Sequence, residues 1–284
     1  MLGKILKYEL KATARIFALI YAALLALAAI NGINIALSDG ANFDFGDQLG
    51  KTIYSSMSSL MVFLYVTVVI AVFVVTIIII IIRFYRMYGN EGYLWHTLPV
   101  TSDQHILGKL IVAFIWTLAS CVVTFISIYL LTFTEDWVGA FREFVGLWNE
   151  ARVAGYNPGL WLALLICLSV TGWLSSVLMF FAAVAIGPNI IKSRLGGTVL
   201  AYLILYIALQ ILSTIFLTVF AAPLIDQATI ASNSFFANGV ENAAASINRL
   251  MIIFVGGFSA LSLVLAGVFY FLARFFTARK LNLP

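Results

Sequence analysis

A chain of 284 residues that is 63% hydrophobic and 10% charged, with a mean hydropathy of +1.07, has too few polar side chains to cover one soluble core. These figures exclude a water-soluble globular protein and define an integral membrane protein. The formal net charge of +4 is scattered over the ends of apolar runs and forms no patch, so no nucleic-acid partner is expected.

The chain opens with Met1 to Arg15, where Ile5, Leu6, Leu10 and Ala14 lie on or near one helical face and Lys4, Lys7, Lys11 and Arg15 mostly on another. This pattern predicts an interfacial amphipathic helix over residues 1–15 on the cytoplasmic leaflet. A secretory signal is the alternative, with Ala26-Leu27-Ala28 as a loose cleavage site, but its basic start would be unusually long and would contain Glu9. Six apolar runs follow, near 16–37, 60–82, 106–133, 160–186, 198–222 and 250–276. Each is long enough to cross a hydrocarbon core of roughly 30 Å as a helix. The second is rich in Val and Ile, yet its length decides for helix, because a lone strand in lipid leaves its backbone unsatisfied. The whole chain reads as one membrane domain, with no room for a soluble domain at either end.

Between the first two runs, Ser38 to Ser59 forms an acidic outer loop containing Gly46-Asp-Gln-Leu-Gly-Lys-Thr52. This stretch imitates a phosphate-binding loop but has three residues where four are required before Gly-Lys-Thr, and no preceding strand. With no other nucleotide motif, the chain is expected to lack ATPase activity of its own.

The stretch from Tyr88 to His105 is the one long polar connection on the basic side, and the rest of the chain can be read as its anchor. Asn90 is a good N-cap, Glu91 suits a first turn, and Pro99 steers Leu98 out of helical geometry. A helix of about two turns fits between them, presenting Tyr93, Leu94, Trp95 and Leu98 outward. Thr101 and Gln104 then form a Thr-x-x-Gln capping box for the third span. The segment reads as a docking element or as a tight turn in the lipid headgroups, where Trp and Tyr are common.

Beyond the third run, Trp137, Phe141, Phe144, Val145 and Trp148 recur at helical spacing within Glu135 to Pro158. They predict an amphipathic helix that lies on the outer membrane surface or packs against the spans. Gly187-Pro188-Asn189 should break the fourth span, and Lys192 and Arg194 occupy a short inner loop before Gly196 and Gly197 that offers only a minor contact. Pro223 to Arg249 is too short to span twice and too apolar for a free loop, which predicts short re-entrant or interfacial helices.

Sorted by loop, twelve Lys and Arg fall on the side of the two termini and four on the other, which places both termini in the cytoplasm. With Lys109 and Arg274 assigned to cytoplasmic span ends, the span interiors lack ionisable groups. That argues against ion-coupled transporters and intramembrane proteases, which handle protons, ions or scissile bonds at membrane depth. Cys121 and Cys167 read as small buried hydrophobes, and His96 and His105 as polar loop residues with no metal site around them. Polar residues inside the spans are Asn31, Asn34, Thr67, Thr76, Gln210, Ser213 and Thr214. Interhelical hydrogen bonds are their first reading, and a substrate path through Asn31, Asn34, Thr67, Gln210, Ser213 and Thr214 the weaker one. Gly256 and Gly257 should permit close helix packing.

The basic start from Lys4 to Arg15, the six spans, and Gly92-Tyr-Leu-Trp-His-Thr-Leu-Pro-Val100 followed by Ile106-Leu-Gly-Lys-Leu110 resemble an ABC-2 type permease, the membrane subunit of a type V ABC transporter. The outer segment Glu135 to Pro158 is larger, and residues 89–92 more flexible, than that family's pattern. The resemblance implies an all-α integral membrane protein of six transmembrane helices, with an N-terminal interfacial amphipathic helix and a cytoplasmic coupling helix between spans 2 and 3. It implies that Glu91, Gly92, Tyr93, Leu94, Trp95, His96, Thr97, Leu98 and Pro99 dock on a separate ABC ATPase subunit, which holds the ATP and Mg. It also implies a second permease chain as partner in the cell membrane. A membrane protein that shields against a membrane-active peptide without ATP is the competing expectation, and a membrane enzyme a weaker one for want of a catalytic group.

Overall fold

The computed structural model describes residues 2–40, 48–88, 101–132, 137–191, 193–238 and 240–279. The elements are α1 (Leu2–Gly40), α2 (Gln48–Arg86), α3 (Ser102–Leu131), α4 (Trp137–Val153), α5 (Pro158–Ile186), α6 (Arg194–Asn238), α7 (Val240–Met251) and α8 (Gly257–Arg279). A 3-10 turn at Gly187–Asn189 follows α5, and a π turn at Ile252–Gly256 joins α7 to α8. Among the described residues, six helical stretches are long and apolar enough to cross a membrane: Leu6–Ala36, Thr52–Arg86, Ser102–Leu131, Pro158–Asn189, Arg194–Val219 and Ile247–Ala278. The protein is therefore an all-helical, multi-pass membrane protein by length and composition. Its residues divide into two compact units, one holding α1 to α3 and the other α5 to α8 with most of α4, where the sequence offers a single domain.

In the first unit, α1 and α3 run parallel and α2 runs against both, as the order of their cross-links requires. Tyr21 Oη meets Ser120 Oγ at 2.8 Å, Thr76 Oγ1 meets the same Ser120 Oγ at 3.0 Å, and Tyr65 Oη meets Ser127 Oγ at 2.9 Å. Trp116 Nε1 donates to Thr13 Oγ1 at 2.8 Å, and its ring stacks on Phe17 with centroids 4.1 Å apart. Lipid offers helices no hydrophobic reason to associate, so such hydrogen bonds and close packing carry much of their cohesion. Glu9, Thr13, Phe17, Leu24, Ala28 and Asn31 are all buried and recur at multiples of three and four residues, the spacing of one helix stripe.

This stripe corrects the sequence reading of the N-terminus. No break separates residues 2–15 from the first span, and Ala14 is exposed and Leu10 half-buried, while Glu9, Thr13 and Phe17 face the bundle. Hydrogen-bond partners on α2 and α3, invisible in a local pattern, decide which face turns inward.

In the second unit, α5 packs on α8 and α6, and α6 packs on α7. Small residues sit at these contacts: Ala182, Ala183 and Ala185 of α5, Ala201 of α6, and Ala266 and Ala273 of α8 are buried. The expected break at Gly187–Asn189 is present as the 3-10 turn, with Pro188 inside it. A Cβ on Gly197 would lie 2.1 Å from the carbonyl oxygen of Gly187, so the start of α6 crosses that turn backbone to backbone. A Cβ on Gly257 would lie 3.2 Å from the Phe216 ring, in keeping with a packing role. Beyond Pro223, where short re-entrant or interfacial helices are expected, α6 continues to Asn238 and the short helix α7 follows. Cys121 and Cys167 are free and exposed, contrary to the expectation of buried thiols.

Candidate functional site

The docking segment expected from the sequence, Glu91, Gly92, Tyr93, Leu94, Trp95, His96, Thr97, Leu98 and Pro99, lies outside the described residues. Both of its flanks are described. On the far side, Thr101 caps α3 in extended geometry, and its side chain accepts from the backbone N–H of Gln104, as the capping-box pattern predicts. The helix therefore begins at Ser102, four residues ahead of the apolar run. His105, expected in a loop, is a buried residue of the first turn of α3.

One turn back from the end of α2 sits a cluster of three charges in the first unit. Glu9 on α1 is 3% exposed and binds both Arg83 of α2 and Lys109 of α3, with Lys109 Nζ 3.1 Å from Oε1 and the Arg83 guanidinium on Oε2. Lys109 also donates to the backbone carbonyl of Arg83 at 3.0 Å. One carboxylate thus ties all three helices together at the basic end of the bundle. Beside it lies a cavity of about 20 Å³ lined in part by Thr13, Phe17, Val112 and Trp116, about the room of one water. Charges at this depth are tolerable only as a compensated group, because an ion taken from water without a partner costs several kcal/mol.

Sequence reasoning missed Glu9 by counting it as one acid in a basic surface helix. A signal was present: Glu9 is the lone acid among Lys4, Lys7, Lys11 and Arg15, and it lies in register with Thr13 and Phe17.

The near flank of the same segment belongs to the second unit. Met87 and Tyr88 follow α2 directly and are buried there. The Tyr88 hydroxyl pairs with Thr277 Oγ1 of α8, and Arg194 at the start of α6 donates to the Tyr88 carbonyl at 2.9 Å. Burial pushes the Tyr88 phenol well above its ordinary pKa, with the Thr277 bond opposing the shift, so it stays neutral at any physiological pH. Arg194, placed by the sequence in a short inner loop, stands at the start of α6 and is one of the groups that hold this flank.

The weaker candidates bond close to home. Asn31 is buried and donates to the Leu27 carbonyl, while Asn34 accepts from Tyr54 Oη at 2.9 Å and donates to Met61 Sδ. Thr67 is exposed and bonds the Phe63 carbonyl of its own helix. Ser213 and Thr214 both bond the Gln210 carbonyl within α6, and Gln210 is exposed. The interhelical reading thus holds for Asn34 and Thr76, while Thr67, Ser213 and Thr214 bond carbonyls of their own helices. Comparison with known protein families, curated proteins and solved structures finds no match to this chain.

Proposed function

We propose that this chain is the membrane-spanning permease subunit of an ATP-driven ABC transporter, an exporter that works beside a second permease chain in the cell membrane with both termini in the cytoplasm. ATP and Mg belong to a separate ATPase subunit, and this chain is not itself an enzyme. The observation that carries the reading is the pair of anchored flanks around Glu91–Pro99. The segment leaves Tyr88, held by Thr277 and Arg194 in one unit, and returns through Thr101 to α3, which the Glu9 cluster ties to α1 and α2 in the other. A partner that displaced the segment would pull on both flanks through covalent chain, since two residues separate Tyr88 from Glu91 and one separates Pro99 from Thr101. That is the mechanical property a coupling helix requires, since a partner's closure must become a movement of spans. Tyr93, Leu94 and Trp95 serve as the apolar anchors in the ATPase groove.

Leu94→Asp tests the reading. A carboxylate forced into a desolvated contact costs several kcal/mol, whereas in a headgroup-level turn it moves a short way into water. The variant is expected to insert in the membrane at normal levels but to lose ATPase co-purification and ATP-dependent transport. Retention of both at normal expression would refute the coupling role and favour a stand-alone shielding protein.

A further inference from the structure

A different part of the chain, independent of the transporter reading, points to a lipid contact. Helix α4 buries none of its residues. Trp137, Phe141, Phe144 and Trp148 nevertheless lie on one face, with Val138, Val145 and Leu147 at its margins, so the apolar arc covers about half the circumference at 100° per residue, with Arg152 entering it in the last turn. Gly139, Arg142, Glu143, Gly146, Asn149 and Glu150 fill the opposite arc. Phe141 is 65% exposed and Leu147 66% exposed, so the middle of the apolar arc stands largely open, while Trp137 at one end meets the Tyr129 ring with centroids 5.6 Å apart.

The helix is nonetheless fixed at its ends. Gly155 adopts a φ of 84° and closes α4, its N–H donating to the Arg152 carbonyl while the Tyr156 N–H donates to that of Ala151. Asn157 then caps α5 by accepting from Leu160 N–H. Asn248 of the second unit grips the turn between them, donating to the Gly155 carbonyl and accepting from Asn157 N–H and Trp161 Nε1. At the start of α4, Trp137 Nε1 donates to the Thr132 carbonyl at the end of α3. A helix clamped at both ends, with Phe141, Phe144 and Leu147 largely exposed between them, has been aimed at something else.

We infer that α4 lies flat in the bilayer surface on the side where α3 ends and α5 begins, with the Trp137, Phe141, Phe144 and Trp148 face in the acyl boundary. The short connectors, residues 132–136 and 154–157, tether it within a few residues of two spans. Bulky aromatics suit a membrane interface, whereas close contact with another helix favours small residues. Here the two glycines lie on the polar arc, and a Cβ at Gly146 would meet nothing within 4 Å. Arg142 and Arg152 balance Glu143 and Glu150, so the contact needs no anionic lipid and should be insensitive to salt.

The test uses the full chain in phosphatidylcholine nanodiscs, with the exposed thiols removed by Cys121→Ala and Cys167→Ala. An environment-sensitive fluorophore is placed at Phe141→Cys, Leu147→Cys, Glu143→Cys or Gly146→Cys. Labels at 141 and 147 should be quenched severalfold more by brominated acyl chains than by aqueous iodide, with the order reversed at 143 and 146, and added salt should change neither. Iodide quenching at all four positions would overturn the proposal in favour of a helix in water. Protection of 141 and 147 from both quenchers would overturn it in favour of a protein cover such as a second copy. Bromolipid quenching at all four would overturn the surface orientation.

Discussion

Replacing Glu9 by Gln keeps the shape of the side chain and removes the carboxylate that Arg83 and Lys109 share. Removing one partner of a buried ion pair costs about 3–5 kcal/mol, because the other charge stays behind uncompensated. The two cations here are not equally trapped. The Arg83 side chain is 26% exposed and can turn its guanidinium to water or headgroups, while that of Lys109 is 7% exposed. Lys109 keeps its bond to the Arg83 carbonyl, so the low end applies, about 3 kcal/mol, or roughly a hundredfold in the unfolding constant. Reversible unfolding of the full chain in mixed micelles measures this directly. Adding Lys109→Met should recover about half or more of the loss, since removing both members of a buried pair is often close to neutral. A loss below about 1 kcal/mol, or a double variant no more stable than Glu9→Gln alone, would refute the view that Glu9 holds a buried cation in place.

Other outcomes follow from the same geometry. Gly197→Ala should destabilise the second unit by about 1–3 kcal/mol or more, because its Cβ would meet Gly187 backbone at 2.1 Å, whereas Gly196→Ala meets only the rotatable Ser193 hydroxyl and should be mild in the same unfolding assay. Tyr88→Phe loses the Thr277 hydrogen bond, and Arg194→Ala the bond to the Tyr88 carbonyl; each should cost about 1 kcal/mol in unfolding. If Tyr88 anchors the coupling segment, both should also lower transport more than they lower ATPase binding, and equal losses would point to folding alone. Tags on both termini should be cytoplasmic, and a thiol at Glu143→Cys should react with an impermeant reagent in intact cells; protection there would reverse the orientation.

Composition and run length were enough to establish that this chain is a helical, multi-pass membrane protein, because a hydrocarbon core about 30 Å thick accepts few solutions other than long apolar helices. Local chemistry was legible too. Thr101 caps α3, Gly187–Asn189 breaks the fourth span, and the aromatic spacing from Trp137 marks a helix, since caps, prolines and periodicity act over a few residues. Which face of α1 turns inward was not legible. In water the apolar face is the buried one, but in lipid apolar side chains are satisfied outside and polar ones are drawn to each other, so Glu9, Thr13 and Asn31 go in while Ala14 and Ile16 stay out. The same inversion left Cys121 and Cys167 exposed. The joining of Glu9 to Arg83 and Lys109, of Tyr88 to Thr277 and Arg194, and of Gly187 to Gly197 brings together residues from separate helices. Those partnerships exist only once the helices pack, and tertiary structure alone decided them.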